Sequence, residues 1–245
     1  INSLLCNILM SVKFIILGSG SSMGVPRADG YAGNCNLNNV KNFRTRCSAL
    51  IKFNDSNILI DTSPDLRSQL LKNKIKSIDK VFYTHLHADQ THGINDLRPF
   101  FLINKKQIPV FADNKTSKYL YSTFKYCFKS SYGYPSTLEL KNLKNKHTFK
   151  NKNKKILIES IPTEHGKIES ICYLINKKLA YASDISLFYK KDYKKLTNLD
   201  YLIVDCLWYK NHSAHFNLDQ VLNLVKILLP KKTILTNMHS DLDYD

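Results

Sequence analysis

Between Thr84 and Gly93 the chain reads THLHADQTHG, which sets three histidines and an aspartate within eight residues, directly behind an apolar run at Lys80 to Tyr83. In extended backbone, residues two apart point the same way, so His85 and His87 can aim their imidazoles at one metal ion. Asp89, two residues further on, is placed to bind a neighbouring ion or to hold its water. Packing does not explain this spacing, because burying unpaired imidazoles is costly and a solvated loop has no use for it. A fold built around such a segment has to end a strand where further ligands can converge.

The rest of the pattern supplies such strands. Short β-branched runs fall at Val12 to Leu17, Ala49 to Phe53, Ile58 to Ile60, Lys80 to Tyr83 and Ile108 to Phe111, with helices expected at Asp65 to Lys72 and Thr116 to Phe128. A second set follows at Lys155 to Ile161, Ile171 to Ile175, Leu179 to Ala182, Tyr201 to Val204 and Thr233 to Leu235. An amphipathic helix, Leu218 to Leu229, sits between the last two, with Asn217 as its cap and Gln220 three residues later. Asn142 to Lys155 reads as a polar, Lys-rich surface connection. Two successive sets of strands with helices outside predict an α/β protein, a layered αββα sandwich of two similar halves. The 245 residues, 43% of them hydrophobic, suffice for one large domain, and residues 1–245 are read as one. Because Met10 precedes the first clear strand, residues 1–9 are expected to lie upstream of the natural start, and the polar stop at Asp245 suggests a C-terminus cut short.

Composition narrows the function classes. The six cysteines are scattered without a C-x-x-C pair, so reduced thiols in a cytoplasmic protein are expected, not a disulfide framework. The apolar stretch Leu4 to Leu17 is interrupted by Asn7 and Lys13 and is too short to span a membrane. A net charge of +16 suits phosphorylated substrates, but lysine is spread along the whole chain without forming a stripe, so nucleic acid is the less favoured partner.

The H-x-H-x-D signature resembles that of the metallo-β-lactamase superfamily, and the likeness is closest to its PhnP-like phosphodiesterase branch. LGSGSSMGVPRADGY (Leu17 to Tyr31), NFRTRCSALI (Asn42 to Ile51), IDTSPDLRSQLL (Ile60 to Leu71) and GINDLRPF (Gly93 to Phe100) carry the likeness on either side of the motif. It implies the four-layer αββα sandwich with two divalent transition metal ions, zinc or manganese. His85, His87 and His165 would serve the first ion, Asp184 would bridge both, and Asp89 and His239 would serve the second. His165, Asp184 and His239 each follow an expected strand, where α/β folds place site residues.

Two departures stand out. Gln90 replaces the histidine expected after Asp89, so the second ion should bind less tightly or be a harder one. Cys35 alone remains where relatives can carry a cysteine cluster, so no structural zinc is expected. His92 is read either as a ligand in compensation or as a support or substrate contact, and Asp61 as a carboxylate that orients a ligand histidine. His215, in HSAHFNLDQ, where the family places a histidine that reaches the reacting phosphate, is the candidate general acid or transition-state stabiliser, with His212 the weaker candidate or simply exposed. Arg67, Arg98, Arg44 and Arg46 are candidates for a second phosphate, or for solvated or ion-paired roles.

The implied reaction is hydrolysis of a small cyclic phosphodiester of the ribosyl 1,2-cyclic phosphate type by metal-bound hydroxide, with Asp89 orienting the hydroxide and His215 protonating the leaving oxygen. The rival enzyme is a tRNase Z-like ribonuclease, although no long inserted arm is evident. A non-catalytic metal- or nucleic-acid-binding protein with a decayed site is the rival of another class, and a homodimer is compatible with the sequence.

Overall fold

The computed structural model describes residues 12–131 and 133–245 in full and residues 5–9 by their backbone; residues 1–4 and Met10, which enter the expectation about the start of the chain, lie outside the described residues. Alternating apolar residues build two sheets. The first runs β1 (Leu5–Leu9), β2 (Val12–Gly18), β3 (Ser48–Phe53), β4 (Ser56–Ile60), β5 (Lys80–Phe82), β6 (Ile108–Ala112) and β7 (Leu138–Asn142), in that spatial order. Strands β1 to β4 are antiparallel and β4 to β7 parallel. The second holds β8 (Lys146–Asn151), β9 (Lys154–His165), β10 (Ile168–Ile175), β11 (Leu179–Ala182), β12 (Tyr201–Asp205) and β13 (Thr233–Thr236), ordered from β13 to β8. It repeats the plan, antiparallel from β8 to β11 and parallel from β11 to β13.

Helices α1 (Leu66–Lys72), α2 (Ala88–Thr91), α3 (Arg98–Asn104), α4 (Asn114–Thr123) and α5 (Lys125–Phe128) belong to the first half, α6 (Tyr193–Leu196) and α7 (Leu218–Leu228) to the second. Alternation within β2 and β3 sends Ile15, Leu17 and Leu50 to the helix side, against Leu66, Leu70 and Leu120. Phe14, Ile16 and Ile51 go the other way, to Ile158, Tyr173 and Tyr181 of the facing sheet. A third apolar layer packs Leu174 and Val204 on Val221, Leu224 and Leu228 of α7. Each fully buried Leu or Phe contributes about 1.5–3 kcal/mol, so these three layers hold the αββα sandwich together. The Asn217–Gln220 capping box is formed at both contacts, each 2.9 Å. Among the described residues, no helix is long and apolar enough to cross a membrane.

Three expectations are corrected. The segment read as a surface connection contains edge strand β8, which buries His147 and half-buries Phe149 while lysines face outward. Charged residues are what an edge strand tolerates, and they hid the alternation. The helix expected over Thr116 to Phe128 breaks at Phe124, whose φ of −120° and ψ of 38° separate α4 from α5. Finally, β9 does not stop near Ile161 but continues to His165, paired with β10 throughout.

Candidate metal centre

The site lies where strands from both sheets end. β5 delivers the segment Thr84 to His87, β9 ends on His165, and Asp184 and Asp205 stand at or just past the ends of β11 and β12. His85 Nε2 lies 3.0 Å from His87 Nδ1, and His165 Nε2 lies 3.3 Å from the same atom. One ring proton cannot serve both contacts. Tetrahedral ligands at bonds of about 2.0–2.1 Å would sit about 3.3–3.4 Å apart, so the three nitrogens are spaced as donors to one cation. Burial, reinforced by the neighbouring imidazoles, pushes His85 well below the ordinary histidine range and His165 down to about 4. Both are therefore neutral, as ligands must be.

Each ring is held from behind. Thr84 Oγ1 donates to Asp61 Oδ2 at 2.8 Å and lies 3.0 Å from His85 Nδ1. A hydroxyl that has spent its proton on a carboxylate can only accept from the imidazole, which leaves the His85 Nε2 lone pair facing the centre. Asp61 thus acts through Thr84 and is not itself a ligand; it also takes the Thr84 N–H at 2.8 Å. His165 Nδ1 lies 2.7 Å from the Ala214 carbonyl, which orients that ring in the same way. The close approach of this loop requires Gly166, at φ +60°, since a Cβ there would stand 2.9 Å from that of Ala214.

Asp184, with His165 and His215, forms a second convergent group. Burial, together with the Asp89 and Asp205 carboxylates, pushes Asp184 up to about 8. Asn237 Nδ2 donates to its Oδ1 at 3.0 Å and Gln90 Nε2 to its Oδ2 at 3.0 Å. Gln90 Nε2 also reaches Asp89 Oδ2 at 3.0 Å. Gln90, which stands where a histidine ligand was expected, turns its amide protons to these carboxylates.

His215 Nδ1 meets Asp205 Oδ2 at 2.6 Å, while the Ile185 N–H holds the same oxygen at 2.9 Å. Burial pushes the Asp205 carboxyl well up and the His215 imidazole down. Both shifts disfavour charge, so the pair keeps one proton between its members and the far side of the imidazole stays available to the site.

Other candidates lie elsewhere. His239 joins neither convergent group among the described residues; its Nδ1 lies 3.4 Å from the Asp241 carboxylate, and its ring stands 5.0 Å from that of Trp208. His92 turns outward to the Tyr119 hydroxyl at 2.9 Å. Arg44 is buried, donating to the Leu242 carbonyl at 2.6 Å and to Cys35 Sγ at 2.9 Å, so it ties the opening loop to the C-terminal segment and does not face a substrate. Arg46 is clamped on Asp65 at 2.7 and 2.9 Å. Arg98 lies over the Tyr134 ring at 5.6 Å, and Arg67 is exposed. His212 is exposed, 5.1 Å ring to ring from His215.

Sequence reasoning missed Thr84, Asp205 and Asn237. Asp205 carried a signal, since it ends a strand as Asp61 and Asp184 follow theirs. Asn237, like Asp61, adopts a left-handed φ of +60°, a conformation that costs about 1–3 kcal/mol and gathers at functional sites.

The donor set fits a cation at the first position, where three imidazoles converge near Asp184. It does not fit one at the second, where an amide lies between Asp89 and Asp184 and His239 joins no convergent group among the described residues.

Residues 56–238 match the family model of the β-lactamase superfamily domain. A crystal structure of a diphosphatase from the PhnP family superposes with a TM-score of 0.83 at 31% identity, over 95% of this chain and 88% of that one. An octanoyltransferase of Porphyromonas gingivalis is 28% identical over 229 residues, 93% of this chain and 46% of that protein. A ribonuclease Z of Prochlorococcus marinus is 29% identical over 125 residues, 49% of this chain and 39% of that protein. The chain therefore spans less than half the length of either of these curated relatives.

Proposed function

The chain belongs to the metallo-β-lactamase superfamily, in its PhnP-like branch, and from that premise we propose that it is a metal-dependent hydrolase of small phosphodiesters. The observation that carries this reading is the approach of His85 Nε2 and His165 Nε2 to within 3.0 and 3.3 Å of His87 Nδ1, from segments at the ends of β5 and β9. With Asp184, they would hold a divalent ion, and an imidazole-rich set suits zinc, with manganese the alternative. Such an ion, when bound, supplies Lewis acidity to the phosphoryl oxygens and lowers the pKa of the attacking water.

The protein's own groups do the remaining work. Thr84 and the Ala214 carbonyl fix two of the rings, so little reorganisation is needed when substrate arrives. Asp89, half-buried beside the centre, is placed to orient the attacking water. Asp205 anchors Nδ1 of His215 and so directs Nε2 to the site, where a proton can pass to the leaving alkoxide. An anionic phosphate beside this imidazole favours its protonated form and opposes the downward push of burial.

A small cyclic phosphodiester is the favoured substrate, supported by likeness to the PhnP-family diphosphatase along most of both chains. A ribonuclease acting on precursor tRNA is the second reading, favoured by the ribonuclease Z match and the +16 charge. Purified protein supplied with zinc or manganese should hydrolyse bis(p-nitrophenyl) phosphate and prefer small cyclic phosphates to precursor tRNA. The reverse preference would promote the ribonuclease, and inactivity with every metal would overturn the hydrolase.

A further inference from the structure

The second half of the metal centre is filled by protein. Gln90 is fully buried, and its side-chain nitrogen stands 3.0 Å from Asp89 Oδ2 and 3.0 Å from Asp184 Oδ2. A primary amide has two N–H donors and no lone pair on nitrogen to offer a metal. Both donors are spent on the two carboxylates that a second ion would need. The carbonyl oxygen, Oε1, is turned away, buried without a donor among the described residues. Reversing the amide would press that oxygen against two carboxylates, which is unfavourable unless a cation lies between them. Amide orientation and occupancy of the second position are therefore mutually exclusive.

Two further observations agree. Helix α2 is pinned, with the Thr62 N–H on the Gln90 carbonyl at 2.7 Å and the Gly93 N–H on the Thr62 carbonyl at 2.8 Å, so only the side chain can yield. The histidine expected to complete the second position, His239, joins neither convergent group among the described residues.

We propose that Gln90 stands in for the second cation: its amide holds Asp89 and Asp184 together in a centre that keeps one ion at rest, and a second ion binds weakly, only by displacing that amide. This rests on the reading of His85, His87, His165 and Asp184 as a metal site.

Bound metal after loading with manganese or zinc and dialysis, together with calorimetric titration of the second ion, tests the proposal. The wild-type chain should retain one equivalent. Gln90→His, which supplies an imidazole, and Gln90→Glu, which keeps the side chain's shape and supplies a carboxylate, should each retain two. Their second ion should bind at least about tenfold more tightly, the scale on which even outer partners of metal ligands act. Two tightly held equivalents in the wild type would overturn the proposal, as would a single equivalent in the wild type and both variants. Neither result touches the first position. No retained metal in the wild type, or retention unaltered by His87→Ala, would instead remove the hydrolase reading and this inference with it.

Discussion

Thr84→Val isolates the support behind the first metal position. Valine matches threonine in shape, so the buried site keeps its packing while Oγ1 is lost, and with it the contacts to Asp61 Oδ2 at 2.8 Å and His85 Nδ1 at 3.0 Å. Loss of an outer partner of a metal-ligating histidine weakens metal affinity about 10- to 100-fold, equivalent to about 1.4–2.8 kcal/mol. Asp61 keeps the Thr84 backbone N–H but loses its other donor, and leaving a buried acceptor unpaired costs the fold about 1–3 kcal/mol. Competition with a chromogenic chelator would give the metal Kd, and thermal unfolding of the metal-free protein would give the stability. The relay predicts that both change. A Kd within twofold of the wild type, with only the melting temperature lowered, would show that Thr84 is packing alone and refute the argument for His85.

Three more outcomes follow from particular groups. Asp184, pushed up to about 8 in the metal-free protein, must lose a proton to bind a cation, whereas His165, near 4, is already neutral; metal affinity should therefore rise with pH between about 4 and 8 and level off above, with one proton released per ion near pH 7. Calorimetry in buffers of different ionisation enthalpy measures that proton. Asp205→Asn removes the anchor of His215 and should lower kcat about a hundredfold while metal content stays normal, as read by steady-state kinetics beside elemental analysis. Asn217→Ala breaks the capping box of α7 and should cost about 1 kcal/mol in urea unfolding.

Much of the fold was legible because apolar alternation survives wherever one strand face meets a core. The strand read at Leu179 to Ala182 matches β11, and the final helix differs by one residue. Strand β8 escaped because lysines dominate its exposed face, and α2 because its four residues are too few for periodicity. The pairing of His85 with His87 was legible from their spacing behind a strand, whereas His165 was supplied by the family resemblance and then by its place at the end of β9. What supports the ligands was not. The Thr84 hydroxyl, the Ala214 carbonyl and the Asp205–His215 pair are contacts of single atoms brought together by loops, and neither spacing nor composition encodes them. Gln90 was visible as a departure, but which end of its amide faces the carboxylates emerges only from the packed site.

Anomalous diffraction at the absorption edge of the bound metal is the most direct test of the centre itself. A peak within bonding distance of the His85, His87 and His165 imidazoles, close to Asp184, is the expected outcome. An ion bound elsewhere, or those three rings left holding only one another in crystals grown with ample metal, would contradict the assignment of this cluster as a metal site.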